Sequence, residues 1–239
     1  MAIQAPAPYR PGVRDDDPPM PFSQHLVELR ERLIWSLVIL AGGSAIAYNF
    51  AQPFLDWLAR PVGQLVFIAP AEAFHTRFKL AFYGGFLLTL PLLLHQVWLF
   101  TARALPPVWR RRLLTMLPLS YFLFLGGVLL CNLLVVPAAV RFFLGFSSAG
   151  VKPLITLDAY LKFVTSLSLA FGAVFQFPLV LYTLNWMGLL SKAAVKPQRR
   201  VVYFVSFVIP AFFTPDIIGQ CSLAGCIIVL FELTLLAMK

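Results

Sequence analysis

The stretch Leu113–Val140 reads LLTMLPLSYFLFLGGVLLCNLLVVPAAV and follows directly on Arg110-Arg111-Arg112. It carries no charged side chain from end to end. A helix needs about 20 apolar residues to cross a hydrocarbon core about 30 Å thick. This run is longer, so it is read as a transmembrane helix with length to spare for tilt. Pro118 is placed to kink it near its start.

Working outward, the same pattern repeats. Upstream lie apolar spans at 80–102 and 33–50. Downstream come 163–189, interrupted by Gly172, Gln176 and Pro178, then 201–213 and 217–238. The 201–213 span rises only about 20 Å as a helix, short for a crossing. The reading is an all-α integral membrane protein with six transmembrane helices, the last two short.

Composition agrees. Of 239 residues, 60% are hydrophobic and 12% charged, about half the charged share of a soluble domain. Net charge is +9. The basic residues cluster between apolar spans, so membrane topology explains them better than nucleic acid does. One set of alternate segments holds Arg10, Arg14, Arg30, Arg32, Arg103, Arg110, Arg111, Arg112, Lys192, Lys196, Arg199, Arg200 and Lys239. The other holds Arg60, Arg77, Lys79, Arg141, Lys152 and Lys162. The richer side is the cytoplasmic one, which predicts both termini inside.

Residues 1–21 are rich in Pro and Asp and read as a disordered cytoplasmic tail. Residues 22–239 form the membrane domain. It opens on an amphipathic helix, 22–32, where Phe22, Leu26 and Leu29 alternate with His25, Glu28, Glu31 and Arg32. No basic segment precedes an apolar one near the start, so no cleavable signal is expected. Residues 51–76, punctuated by Pro53, Pro61 and Pro70, read as a loop, and 141–162 as a second one on the same side.

Acids are scarce enough to weigh one by one. Glu28 is either an i,i+4 salt bridge to Arg32 or a carboxylate that receives a partner's guanidinium at the membrane surface. Asp158 and Asp216 precede helices and read as N-caps. Gln176, in mid-span, either bonds a neighbouring helix or serves a partner. Glu232 near the end can snorkel. Cys131, Cys221 and Cys226 lie in apolar stretches and read as packing residues. His25, His75 and His95 are scattered, so no metal site is expected. There is no paired-acid motif, nucleophile elbow or phosphate loop, so neither a catalytic residue nor a cofactor is expected.

Several runs together resemble the TatC family, the receptor and core subunit of the twin-arginine protein translocase. They are Phe22–Leu33; Ala69–Phe74 with Lys79; Pro91 with Gln96–Phe100 and Arg110-Arg111; Leu157–Tyr160; Phe171–Pro178; and Phe213–Asp216 with Gln220 and Phe231-Glu232. The resemblance covers the chain from Phe22 onward. It implies a curved, glove-like wall of six helices in a bacterial inner membrane. It implies binding of twin-arginine signal peptides and assembly with single-span TatA- and TatB-type subunits. Folded cargo would then cross on the proton-motive force. Carried over by motif, the signal-peptide surface comprises His25, Leu26, Glu28, Arg30, Trp109, Arg110 and Arg111. The intramembrane contact set comprises Phe171, Gln176, Pro178 and Gln220. The outer-loop motif comprises Pro70, Glu72, Phe74, Asp158 and Asp216.

Some positions depart from the family pattern. Trp109 stands where a second glutamate is usual, and Gly225 where a proline is usual. The recognition patch here therefore keeps one carboxylate of two. The competing reading is a small-solute transporter or channel subunit. It requires converging polar groups at mid-membrane, for which only Gln176 and Asn132 qualify. No internal repeat supports it.

Overall fold

The computed structural model describes residues 22–103, 116–147, 153–213 and 216–238. Among them there are helices and no β-strand. Helix α1 is Phe22–Tyr48, α2 is Ala51–Ala59 and α3 is Pro70–Arg103. Helix α4 (Leu117–Leu130) passes through a π turn (Cys131–Val135) into α5 (Val136–Leu144). Helices α6 (Leu157–Val174) and α7 (Phe177–Trp186) follow, then a short α8 (Lys192–Val195) and a 3-10 turn. Helices α9 (Arg199–Phe213) and α10 (Ile217–Ala237) close the chain. Among the described residues, five segments are long and apolar enough to cross a membrane: 26–48, 70–101, 117–144, 157–186 and 217–237.

The amphipathic segment runs straight into the first span as one helix, because no breaker separates Leu29 from Leu33. Several other boundaries differ from the sequence reading. The expected 51–76 loop contains α2 and the first turns of α3; Pro53 and Pro70 sit in first turns, where a missing N–H costs nothing. Pro118 does the same in α4, and the part of its span before Met116 lies outside the described residues. The distortion comes later, at the π turn. Pro137 cannot donate to the carbonyl one turn back, and Asn132 Nδ2 donates to the Val128 carbonyl at 2.8 Å. Arg141 and Lys162 belong to helices, not to a loop.

In lipid, apolar surface does not drive helices together, so close backbone approach must. Two crossings supply it. Between α1 and α3, a Cβ on Gly85 would lie 2.5 Å from the backbone N of Ser44, and one on Gly43 2.2 Å from a Thr89 methyl. Between α4 and α6, a Cβ on Gly127 would lie 2.7 Å from the Phe171 carbonyl oxygen, and one on Gly172 2.6 Å from the Phe124 ring. At Gly85 and Gly127 the neighbour is backbone, which cannot swing aside, so a side chain there would force the helices apart.

The end of the molecule carrying α2 is stapled across its loops. Val66 pairs with Thr156 in a single parallel bridge, with Leu157 N–H donating to the Val66 carbonyl at 2.8 Å. Tyr160 Oη donates to the Leu58 carbonyl at 2.6 Å. At the opposite end, Arg199 and Tyr203 both bond the Glu232 carboxylate, at 2.8 and 2.6 Å. Glu232 therefore does not snorkel; it ties α9 to α10. Lys192 Nζ donates to the Met238 carbonyl at 2.7 Å, which puts the ends of α7 and α10 on one side.

Candidate functional site

Three groups of side chains matter, and the fold keeps them apart. The first lies near the start of α1. Leu26 and Leu29 are exposed there, yet Glu28 is only 6% exposed. The 100° step per residue turns Glu28 toward α3 while its neighbours face outward. Arg32, one turn on, meets it at 3.4 Å and donates to Gln96 of α3 at 2.9 Å. The expected i,i+4 pair is thus present, but it is long for a charge-assisted bond and is shared with Gln96. Gln96 was part of the family run and not assigned to the site; the signal is visible only once α3 is laid beside α1. Arg30 is exposed. The backbone of His25 lies in α1. Trp109, Arg110 and Arg111 lie outside the described residues.

The second group sits where α6 gives way to α7. Pro178 has no N–H for the carbonyl one turn back, so the helix breaks and Gln176 occupies the junction. Ser120 Oγ donates to Gln176 Oε1 at 2.6 Å, and Gln176 Nε2 donates to the Ser120 carbonyl at 2.7 Å. Phe171 is fully buried beneath, and Pro178 is half-buried. The interhelical bond is therefore made. Gln220 lies elsewhere, on α10, donating to the Phe207 carbonyl of α9 at 3.0 Å. We expect Gln176→Leu to lose export and Gln176→Glu to keep it. Leucine removes both bonds to Ser120, worth about 1 kcal/mol in a membrane wall. A protonated glutamate still donates and accepts. Export assays on the two variants check this; full activity with leucine would make the pair a packing detail.

The third group is the outer-loop motif. Pro70 opens α3, and Glu72 accepts from the Ile68 N–H at 2.8 Å and from the Asp158 N–H at 2.9 Å. One carboxylate so anchors two loops that are 86 residues apart. Asp158 does not cap α6: Thr156 holds the N-cap position, and the Asp158 carboxylate pairs with Lys79. Phe74 is exposed against Phe78. Asp216 does cap α10, accepting from the Gly219 N–H. This motif is architectural. Asn132, the other mid-membrane polar residue, bonds Ser168 at 2.8 Å. It lies about 18 Å along the helix from Ser120, at 1.5 Å per residue. The two do not converge on a solute site.

A family model described as Sec-independent protein translocase protein (TatC) matches residues 24–225. The chain belongs to the TatC family. A TatC protein of Carboxydothermus hydrogenoformans is 35% identical over 230 residues, 94% of this chain and 95% of that protein. One from Aquifex aeolicus is 33% identical, covering 90% of this chain and 93% of its own. A crystal structure of the twin arginine translocase receptor TatC in DDM superposes with a TM-score of 0.79 at 31% identity, covering 90% of this chain and 99% of that one. A second crystal structure of that receptor gives 0.78 at 33% identity, covering 89% and 96%. This TatC chain is a membrane protein and, as a translocase component, not an enzyme.

Proposed function

We propose that this chain is the signal-peptide receptor of a twin-arginine translocase. It binds the arginine pair of folded precursors and, with TatA- and TatB-type single-span subunits, passes them across a bacterial inner membrane on the proton-motive force. The observation that carries the reading is Glu28. It is a carboxylate held at the end of α1 by a long, shared contact with Arg32, beside exposed Leu26 and Leu29. An incoming guanidinium can replace that contact with a bidentate fork, which a lysine cannot form. The apolar part of a signal has exposed Leu26, Leu29 and Leu33 to follow.

The site takes His25, Leu26, Glu28 and Arg30 from the start of α1 and Trp109, Arg110 and Arg111 from the following basic loop. Within the membrane, Gln176 and Pro178 at the α6–α7 junction and, separately, Gln220 on α10 are the partner-contact positions, with Phe171 buried beneath the junction as its support. Residues 1–21 are a cytoplasmic tail, and 22–239 the six-helix domain. The sixth crossing is α9. Its start and its middle meet α10 in antiparallel register, Arg199 with Glu232 and Phe207 with Gln220, which supports a helix running alongside α10. Its 15 residues rise about 22 Å, so the bilayer must thin there.

A photocrosslinking residue at Leu26 tests the receptor reading. It should capture a twin-arginine signal peptide and not a twin-lysine one; equal capture would overturn it. Orientation is tested on intact cells with an impermeant thiol reagent. Cysteines at 60 and 152 should label, and those at 111 and 199 should not; the reverse pattern inverts the topology.

Trp109 offers stacking, worth about 0.5–1 kcal/mol on an arginine face at an exposed site, where the family usually offers charge. Stacking responds less to salt than a charge pair does. Trp109→Glu should therefore bind peptide more tightly at low salt, with the gain shrinking as salt rises. A gain independent of salt would contradict the assignment.

A further inference from the structure

A groove of about 1130 Å³ lies between α1, α3 and α6, well away from Glu28. That exceeds the roughly 300–1,000 Å³ of an ordinary small-molecule site. Its walls are apolar: Leu40 and Tyr48 from α1, Phe82 from α3, Leu161 and Leu169 from α6. Its charged groups gather at one end, where Lys79, Asp158 and Lys162 stand. That end opens beside a second hollow of about 660 Å³ that also contains Lys79 and Asp158, together with Glu72 and His75.

Depth and charge identify the occupant. Leu40 to Tyr48 spans about 12 Å of helix, and Lys162 to Leu169 about 10 Å. One leaflet of hydrocarbon is about 15 Å deep, half of a core about 30 Å thick. The groove therefore runs most of one leaflet, from the headgroup level toward the midplane. Water has no partners along such walls, and an acyl chain does. At the headgroup end, Glu72 already accepts two backbone N–H groups, and Asp158 already pairs with Lys79. Lys162 is exposed and, among the described residues, has no ion-pair partner. It is the cation left to meet an anion entering with the chain.

We infer that this groove is a binding site for one glycerophospholipid of the leaflet on the α2 side. An acyl chain lies between α1, α3 and α6, and the phosphate sits on Lys162 beside the Lys79–Asp158 pair. The inference rests on the chain being a membrane protein and not on how it recognises signals. A lipid so placed would fill the space that α1, packed mainly on α3, leaves open toward α6.

The probe is phosphatidylglycerol, with diacylglycerol of the same chains as the phosphate-free control. The full-length protein is stripped in detergent, reloaded, and weighed by native mass spectrometry. One phosphatidylglycerol per chain should persist, and diacylglycerol should be retained at least five-fold less. Lys162→Glu should lower phosphatidylglycerol retention at least five-fold with unchanged helical content, since the side chain is exposed; Lys162→Arg should retain it. Thr165→Trp, which fills the groove, should abolish retention. Equal retention of the two lipids, or undiminished retention in Lys162→Glu, would overturn the assignment, and so would full retention in a folded Thr165→Trp.

Discussion

Replacing Glu28 with alanine is expected to weaken binding of a twin-arginine signal peptide by about ten- to a hundred-fold. A hydrogen bond to a charged group is worth about 1.5–3 kcal/mol where water is excluded, and each 1.4 kcal/mol is a factor of ten. At 6% exposure, Glu28 is in that regime. Glu28→Gln keeps the shape and one acceptor but loses the charge, so it should lose most of the same affinity. The fold should survive either change, because Arg32 keeps its bond to Gln96. Isothermal titration of labelled peptide, with thermal unfolding as the control, checks both. Unchanged affinity with an altered unfolding temperature would leave Glu28 as a partner of Arg32 and nothing more.

The second large effect is structural. Gly85→Leu should separate α1 from α3, because even its Cβ would fall 2.5 Å from the backbone of Ser44. Backbone cannot swing aside as a side chain does. Overpacking of this kind costs about 1–3 kcal/mol and at times more. The damage should reach the Glu28–Arg32–Gln96 chain, since α1 and α3 supply its two ends. We expect a lowered unfolding temperature and a lost peptide response together. Gly126→Ala is the contrast. A Cβ there meets nothing within 4 Å, and alanine favours a helix interior by about 0.5–1 kcal/mol over glycine. It should be neutral or stabilising. If both variants behaved alike, close approach at Gly85 would not be what joins the helices.

Much of this architecture is written locally. Leu113–Val140 announces a membrane crossing by the absence of charge, and the described helix through 117–144 follows it. Asp216 announces a cap, because capping is decided within four residues. What the sequence conceals is whatever depends on a distant partner. Asp158 reads as a cap by position, yet Lys79 claims its carboxylate and Glu72 its N–H. Glu232 reads as a snorkelling acid, yet Arg199 and Tyr203 reach it from α9. The π turn needs Asn132 and Pro137 to act on the same stretch of backbone, a coincidence that apolar periodicity does not register. At the candidate site, Glu28 was legible as a scarce acid in a family-like run. Gln96 was not, because its role exists only across the α1–α3 contact.

The central claim is that Glu28 anchors a surface selecting an arginine pair. Its most direct test is a titration of the purified protein with two labelled signal peptides, one bearing the arginine pair and one bearing two lysines at the same positions. The account predicts that the arginine peptide binds at least ten-fold more tightly, and that Glu28→Ala erases the difference by weakening only that peptide. Equal affinity for the two peptides, or a preference that survives in Glu28→Ala, would contradict it.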